Sequence, residues 1–258
     1  MNTETRARLL QLNRDFYATV AAPFHETRKA WSPGKTRLLT MLPHVGDRPL
    51  RVLDVGCGNG RLARMLDSLA RPVIYTGLDG DAALLAFADE HTRDLAHVTC
   101  TFVRADLADP AWAQSAGIDR DYDVTLCLAT LQHLPGEELR GDTVAALARL
   151  TTPDGLIILS GWQFLESPRL AAKVLDWSAA DVDPASVEAG DALLPWQQDV
   201  YAVRYVHQID AAEMARLADH AGLAVTTSFR ADGKEGNLNL YVLLRRPEPG
   251  QLSGDSTR

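Results

Sequence analysis

Short apolar runs rich in β-forming residues recur through the first two thirds of the chain. They cover residues 50–55, 73–79, 98–104, 122–129 and 155–160. Most of these runs lack a clean alternation of polar and apolar positions, which is typical of strands buried on both faces of a parallel sheet. Helical patterns at about 60–70, 81–91 and 137–150 separate them. The alternation of strand and helix predicts an α/β fold built on a doubly wound sheet.

Two segments outside this core are expected to lie near the active face. Residues 1–43 predict two helices, split near Pro23 and Pro33, that act as a lid. Residues 162–208 contain several prolines and are too long for a simple loop. We therefore expect residues 162–208 to form an insertion on the substrate side.

The C-terminal part is expected to complete the same domain, which spans residues 1–246. A helix at about 210–221 precedes two strand patterns at about 223–230 and 238–245. Paired as an antiparallel hairpin at the sheet edge, they give a sheet of about seven mostly parallel strands. The tail 247–258 is rich in Pro, Gly, Ser and Asp and is expected to be disordered.

Composition excludes several classes of protein. Of the 258 residues, 46% are hydrophobic and 23% are charged, which excludes a disordered chain. No apolar run is long enough for a transmembrane helix, and the N-terminus lacks the apolar core of a secretory signal, so we expect a cytoplasmic protein. Cys57, Cys100 and Cys127 form no C-x-x-C pair, which predicts free thiols and no metal site.

The charge distribution is uneven. The net charge of −8 argues against broad, nonspecific nucleic-acid binding. Residues 1–40 nevertheless carry seven basic groups against three acidic ones. This segment is either a solvated helix on an acidic protein or a basic rim beside a site for an anionic substrate.

The most informative motif is a glycine-rich turn that follows the first predicted strand. Residues 54–60 read Asp-Val-Gly-Cys-Gly-Asn-Gly, a G-x-G-x-G spacing that differs from the dinucleotide-binding G-x-G-x-x-G. Glycines at such a turn allow a ligand to approach the backbone closely. Asp54 before the first glycine suits a ligand with an ammonium group better than a pyrophosphate.

Two further acidic residues follow the next strands in order. Asp79 ends the second predicted strand, where a carboxylate accepts hydrogen bonds from ribose hydroxyls. Asp106 follows the third strand and can accept from an exocyclic amine such as that of adenine. Either residue alone is more typical of a helix cap, but together with the glycine-rich turn they indicate a nucleoside site.

These motifs resemble those of the class I S-adenosylmethionine-dependent methyltransferases, with the D-x-G-x-G-x-G motif intact. The resemblance covers about residues 50–160 and implies their Rossmann-like fold and S-adenosylmethionine as cofactor. It implies Gly56, Gly58 and Gly60 near the methionine part, Asp79 on the ribose and Asp106 by the adenine. The full expected cofactor set is Asp54, Gly56, Cys57, Gly58, Gly60, Asp79, Gly80, Asp106, Leu107 and Leu128.

Blocks on both sides of this core resemble the tRNA wobble-uridine carboxymethyl methyltransferases. The N-terminal block has Tyr17, Phe24, Thr27-Arg28 and Trp31, and the later blocks read Leu194-Pro195-Trp196 and Arg204-Tyr205-Val206-His207. Candidate substrate-binding residues are therefore Tyr17, Trp31, Trp196, Tyr205 and His207. His133, Arg28 and Arg204 are the catalytic candidates, the arginines because a guanidinium can hold an anionic acceptor. Eukaryotic members of that family work with a small zinc-binding activator subunit, which is a candidate partner here.

Three functions follow as hypotheses. The first is methyl transfer to a carboxylate oxygen of a modified tRNA wobble uridine, which needs no strong general base because a carboxylate is already ionised. The second is a small-molecule O- or N-methyltransferase in which His133 acts as a base and the acceptor is small and anionic. The third is a cofactor-binding subunit without catalytic activity.

Overall fold

A single sheet organises the part of the chain that the computed structural model describes, which is residues 1–27, 31–198 and 200–247. Its seven strands, numbered along the chain, are β1 (Leu50–Val55), β2 (Val73–Asp79), β3 (Val98–Arg104), β4 (Tyr122–Leu128), β5 (Thr151–Trp162), β8 (Ala224–Ala231) and β9 (Asn239–Arg245). They lie in the order β3-β2-β1-β4-β5-β9-β8. The first five are parallel, and β9 is antiparallel to both of its neighbours. The predicted doubly wound sheet with an antiparallel C-terminal hairpin is confirmed.

Helices cover both faces of the sheet, as its apolar strands require. They are α1 (Thr3–Thr27), α2 (Pro33–Leu39), α3 (Arg61–Asp67), α4 (Ala82–Thr92), α5 (Trp112–Ser115), α6 (Glu137–Leu150), α7 (Pro168–Ala171) and α8 (Ala211–His220). One buried cluster joins Leu53 and Leu159 of the sheet to Leu147 of α6. A second large buried cluster joins Val52 of the sheet to Met65 of α3.

The N-terminal segment departs from the prediction at Pro23. Pro23 was expected to divide two helices, but α1 continues past it to Thr27. Buried residues recur every three or four positions along α1, from Leu9 through Phe16 to Val20. Packing of this continuous stripe therefore outweighs the hydrogen bond that a proline removes. Pro33 does mark a boundary, because it stands at the start of α2 with Ser32 as N-cap.

The segment 162–208 contains a hairpin that its sequence pattern did not predict. Strands β6 (Asp191–Gln198) and β7 (Val200–His207) pair with each other, separately from the main sheet, and β7 packs against α1. The Asn13 side chain joins the two elements, because its Nδ2 donates to the carbonyl of His133 at 3.1 Å and its Oδ1 accepts from the Tyr205 N–H at 2.9 Å. The hairpin and α1 thus cover one edge of the sheet together.

Several remaining expectations can also be compared with the structure. The three cysteines are free thiols, as predicted. Within the described residues no helix has both the length and the apolar character needed to cross a membrane. The predicted disordered tail lies outside the described residues from position 248 onward.

Candidate functional site

A cavity of about 1130 Å³ opens at the edge of the sheet where strands β1 to β5 end. This is the edge at which open α/β sheets bind ligands. One part is lined by the ends of β1 to β4 and is called here the cofactor half. The other part, the acceptor half, is lined by the edge of β5, β8 and β9 together with β7. Residues of the acceptor half include Trp162, Arg204, Asp232, Leu238, Asn239 and Tyr241.

The glycine-rich turn forms the floor of the cofactor half. Gly56, Gly58 and Gly60 have φ values of 78°, 56° and 72°, in the left-handed region that favours glycine. A Cβ atom at Gly56 would collide with the side chain of Thr130. The turn is held by the backbone N–H groups of Gly56 and Cys57, which donate to the Leu78 carbonyl at 2.7 and 2.9 Å. The positive φ values and the collision with Thr130 explain why glycine stands in this turn.

Asp79 lies beside this turn, at the end of β2. Its Oδ2 accepts from the Gly58 N–H at 2.9 Å and its Oδ1 from the Asp81 N–H at 3.0 Å. Burial raises the pKa of Asp79 to about 6, and these two hydrogen bonds oppose the rise. The carboxylate therefore has a fixed orientation, and each oxygen retains a lone pair for a ligand.

The other expected cofactor residues divide into two groups. Seven of them also line the cavity, namely Gly56, Cys57, Gly58, Gly80, Asp106, Leu107 and Leu128. Asp106 forms an ion pair with Arg14 of α1, whose guanidinium lies 2.7 Å from Oδ2. Asp54 and Gly60 are not among the lining residues. Asp54 is buried beneath the turn, where it accepts a 2.6 Å hydrogen bond from the Tyr75 hydroxyl.

His133 lines the cavity after β4, in the short turn Leu131–His133. Its Nδ1 lies 3.2 Å from the Tyr205 carbonyl, which can only accept, so Nδ1 carries the proton. Its Nε2 then accepts from the Tyr17 hydroxyl at 2.9 Å. Burial and the charge of Arg204 lower the pKa of His133 to about 3. The ring is neutral at physiological pH and is a weak base.

Arg204 brings a buried positive charge into the acceptor half. Its side chain enters the cavity from β7, and only 7% of the residue is exposed. The guanidinium carbon lies 4.6 Å from the ring centroid of Trp162 and 5.1 Å from that of Phe16, within cation–π range. Arg204 thus lines the cavity, and its role towards an acceptor stays a prediction.

The remaining substrate candidates lie in different places. Tyr17 lines the cavity. Trp31 is 49% exposed and lies outside the lining, and Trp196 packs edge-on against Phe16 with ring centroids 6.2 Å apart. Arg28 lies outside the described residues.

Tyr205 and His207 belong to a buried polar cluster behind the cavity. Asp191 Oδ1 accepts from the Tyr205 hydroxyl at 2.6 Å and lies 2.7 Å from His207 Nδ1. His207 Nε2 lies 2.7 Å from Glu213 Oε2, and Arg140 Nε donates to Glu213 Oε1 at 2.7 Å. The cluster joins β6 and β7 to α6 and α8. Tyr205 and His207 therefore take part in this buried network of ion pairs and hydrogen bonds and do not line the cavity.

The same cluster contains a possible set of metal ligands. Glu188, Asp191 and His207 have donor atoms within 4.8 Å of one another. Both ring nitrogens of His207 already face carboxylates, and Arg140 donates to Glu188 at 2.9 Å. The candidate ligand atoms are thus already paired with one another or with Arg140, as in an ion-pair network.

Sequence reasoning missed several residues of the acceptor half. Trp162 and Asn239 stand opposite each other on β5 and β9. Asp232, at a φ of 65°, accepts from the Tyr241 hydroxyl at 2.6 Å, from Asn239 Nδ2 at 2.8 Å and from the Gly34 N–H at 2.8 Å. The sequence offered one indication of this half of the site. Strands β5 and β8 end at the same edge of the sheet as β1 to β4.

Replacing Asp79 with alanine tests the cofactor half. If its carboxylate accepts from ribose hydroxyls, the change should weaken S-adenosylmethionine binding by ten- to over a hundred-fold, since a charged hydrogen bond contributes about 1.5–3 kcal/mol. Binding to the unmutated protein should also weaken as the pH falls through about 6, because Asp79 then becomes protonated. Calorimetry measures both effects, with the exposed Asp94→Ala variant as a control. Unchanged affinity in Asp79→Ala would remove the ribose assignment.

Comparisons with known proteins find relatives of the part of the chain that forms the cofactor half. Residues 53–157 match a family model described as "Methyltransferase domain". The Ubiquinone biosynthesis O-methyltransferase of Burkholderia lata is 34% identical over 110 residues, which are 43% of this chain and 43% of that protein. The enzyme of the same name from Cronobacter sakazakii is 38% identical over 111 residues, 43% of this chain and 41% of that protein. The chain thus matches less than half the length of these relatives.

Solved structures match most of the chain. An S-adenosylmethionine-dependent methyltransferase from Clostridium acetobutylicum has a TM-score of 0.64 at 10% identity, covering 91% of this chain and 98% of its own. The magnesium protoporphyrin IX methyltransferase of Synechocystis, solved with bound S-adenosylmethionine, has a TM-score of 0.58 at 18% identity, covering 92% and 97%. The chain therefore has the Rossmann-like fold of these solved methyltransferases, and its residues 53–157 match the methyltransferase-domain model.

Proposed function

We propose that this protein transfers the methyl group of S-adenosylmethionine to an anionic oxygen, foremost a carboxylate oxygen, of a small molecule. One observation carries the proposal. A single cavity holds the glycine-rich turn and Asp79 in one half and the buried guanidinium of Arg204 in the other. Its volume of about 1130 Å³ exceeds the roughly 300–1,000 Å³ of a typical pocket for one small ligand, so a cofactor and a small acceptor fit together.

The residues of the cofactor half fit S-adenosylmethionine. A Cβ at Gly58 would meet only the Phe24 ring at 3.9 Å, so its absence leaves the backbone open to a ligand, and Asp79 is oriented to accept from hydroxyl groups. The cofactor supplies an electrophilic methyl group bound to a positively charged sulfur. Asp79, Asp106 and the turn hold and orient it, and the aromatic residues of α1 exclude water.

The described titratable groups near the acceptor half favour an acceptor that is already ionised. His133 is neutral, with a pKa of about 3, and its Nε2 accepts from Tyr17. The hydrogen bonds from Tyr241, Asn239 and Gly34 hold the pKa of Asp232 below its usual value despite burial. Neither group is a strong base at neutral pH. A carboxylate needs none, because it is already ionised at neutral pH and has no proton to lose before it would accept the methyl group.

A small molecule is favoured over tRNA by two further observations. The curated relatives carry names of ubiquinone biosynthesis O-methyltransferases. In addition, Trp196, Tyr205 and His207, which contributed to the resemblance to tRNA methyltransferases, pack inside the protein rather than against the cavity. Packing and hydrogen bonding inside the protein therefore account for these three residues.

A label-transfer experiment tests the proposal. The protein is incubated with S-adenosylmethionine carrying a radioactive methyl group and a panel of small carboxylates, phenols and amines. Methyl esters release labelled methanol in mild alkali, whereas methyl ethers and N-methyl products do not. We expect base-labile label on a carboxylate. Label that resists alkali would contradict the carboxylate as acceptor, and transfer to no compound would favour a cofactor-binding subunit.

Transfer to a carboxymethyl-uridine of tRNA is the second candidate. It is favoured by Arg204, which suits an anionic acceptor of either size, and by the excess of basic residues in the first 40 positions. Mass spectrometry of tRNA nucleosides from a deletion strain distinguishes it from the first. Loss of a methyl-ester nucleoside would support tRNA, and purification of the protein from its source would then show whether an activator subunit accompanies it.

A further inference from the structure

Trp162 occupies a central position on the wall of the acceptor half. It is the last residue of β5, and its backbone N–H donates to Oε1 of the buried Gln132 at 3.0 Å. The guanidinium of Arg204 lies over its ring at 4.6 Å. The His133 ring meets it edge-on, with centroids 6.2 Å apart and planes at 80°. The indole is thus contacted by Arg204 and His133 while it remains part of the cavity lining.

Neighbouring polar groups leave the indole as the main contact surface. Asp232 is occupied by donors from Gly34, Asn239 and Tyr241. The Tyr241 hydroxyl is likewise committed to Asp232, and its ring stacks on Phe229 with centroids 5.0 Å apart. Leu238 also lines this side of the cavity. Because the Arg204 guanidinium lies over the Trp162 ring, a ligand held by Arg204 lies beside that indole.

From this geometry we infer that the methyl acceptor is an aromatic carboxylate whose ring stacks on Trp162 while its carboxylate faces Arg204. The inference rests on the proposed function and makes it more specific. An aliphatic acid gains the same charge interaction but loses the offset or edge-to-face contact that aromatic pairs prefer. Trp162 is then a specificity-determining residue, with an effect that is separable from the charge of Arg204.

Two matched pairs of carboxylates test the inference. Benzoate is compared with cyclohexanecarboxylate, and 2-naphthoate with decahydro-2-naphthoate, so the members of a pair share the carbon skeleton and the charge. Binding to the full chain saturated with S-adenosylhomocysteine is measured by calorimetry, and ester formation is measured with labelled cofactor. We expect the aromatic member to bind about two- to tenfold more tightly.

The variants assign this preference to one residue. Trp162→Leu should bring the ratio within each pair close to one, and Trp162→Phe should preserve it. Loss of cation–π support for Arg204 in Trp162→Leu weakens both members equally, so the ratio reports the ring contact alone. Unchanged affinity for S-adenosylhomocysteine verifies that the variants are folded. Should Trp162→Leu not fold, Trp162→Met provides the same comparison.

The contrary outcomes are distinguishable. Equal binding of both members to the unmutated protein, or a ratio that survives in Trp162→Leu, contradicts the inference and leaves the proposed function intact. Binding of none of the four carboxylates contradicts a small anionic acceptor and the inference with it.

Discussion

Replacing Arg204 with alanine is expected to lower kcat/KM for an anionic acceptor by about 30- to several-thousand-fold. Arg204 is the buried cation of the acceptor half, and removing one partner of a buried charge pair costs about 2–5 kcal/mol. Affinity for S-adenosylmethionine should stay within a few-fold, because the cofactor half is lined by other residues. Steady-state kinetics with the identified acceptor and calorimetry with the cofactor separate the two effects.

Two further variants make the Arg204 result interpretable. Arg204→Lys retains the charge but loses the planar guanidinium, so we expect activity between those of the unmutated protein and Arg204→Ala. Arg93→Ala removes an exposed arginine that pairs with Asp89 on α4, and should leave turnover unchanged. If cofactor affinity falls in parallel with turnover, Arg204 contacts the carboxylate of the cofactor instead. Normal turnover would exclude any role in catalysis.

The cofactor half is predictable from sequence because its residues follow strands directly. A parallel sheet brings the ends of successive strands to one edge, so Gly58, Asp79 and Asp106 come together once the strands are located. The glycine spacing adds a backbone geometry that few other residues adopt. Local pattern and topology together therefore suffice for this half.

The acceptor half depends on contacts between segments that are distant in sequence. Arg204 meets Trp162 only because the β6–β7 hairpin folds onto α1, and no local pattern shows that docking. Pro23 illustrates the same limit, since the buried stripe of α1 keeps a helix intact that proline was expected to divide. A motif also fails to show which way a side chain points. Tyr205 and His207 stand beside Arg204 in sequence yet face the buried polar cluster.

That cluster leads to the largest effect on stability. Glu213→Ala is expected to lower the free energy of unfolding by about 3–5 kcal/mol, because it leaves the buried charge of Arg140 without its closest partner. Glu138→Ala, which removes an exposed ion pair with Arg6, should cost no more than about 1 kcal/mol. Chemical denaturation of both variants measures the difference. A loss in Glu213→Ala no larger than in Glu138→Ala would show that the cluster does not stabilise the fold.

The contribution of His207 should depend on pH with a defined sign. Hydrogen bonds to Asp191 and Glu213 raise the pKa of His207 above 6.5 despite burial. A raised pKa means that the folded state binds the proton more tightly than the unfolded state. The stabilisation is therefore complete below pH 6.5 and is lost as the pH rises through the folded-state pKa. The difference in unfolding free energy between the unmutated protein and His207→Gln should shrink across this range. A difference that grows with pH would mean that His207 is neutral in the fold.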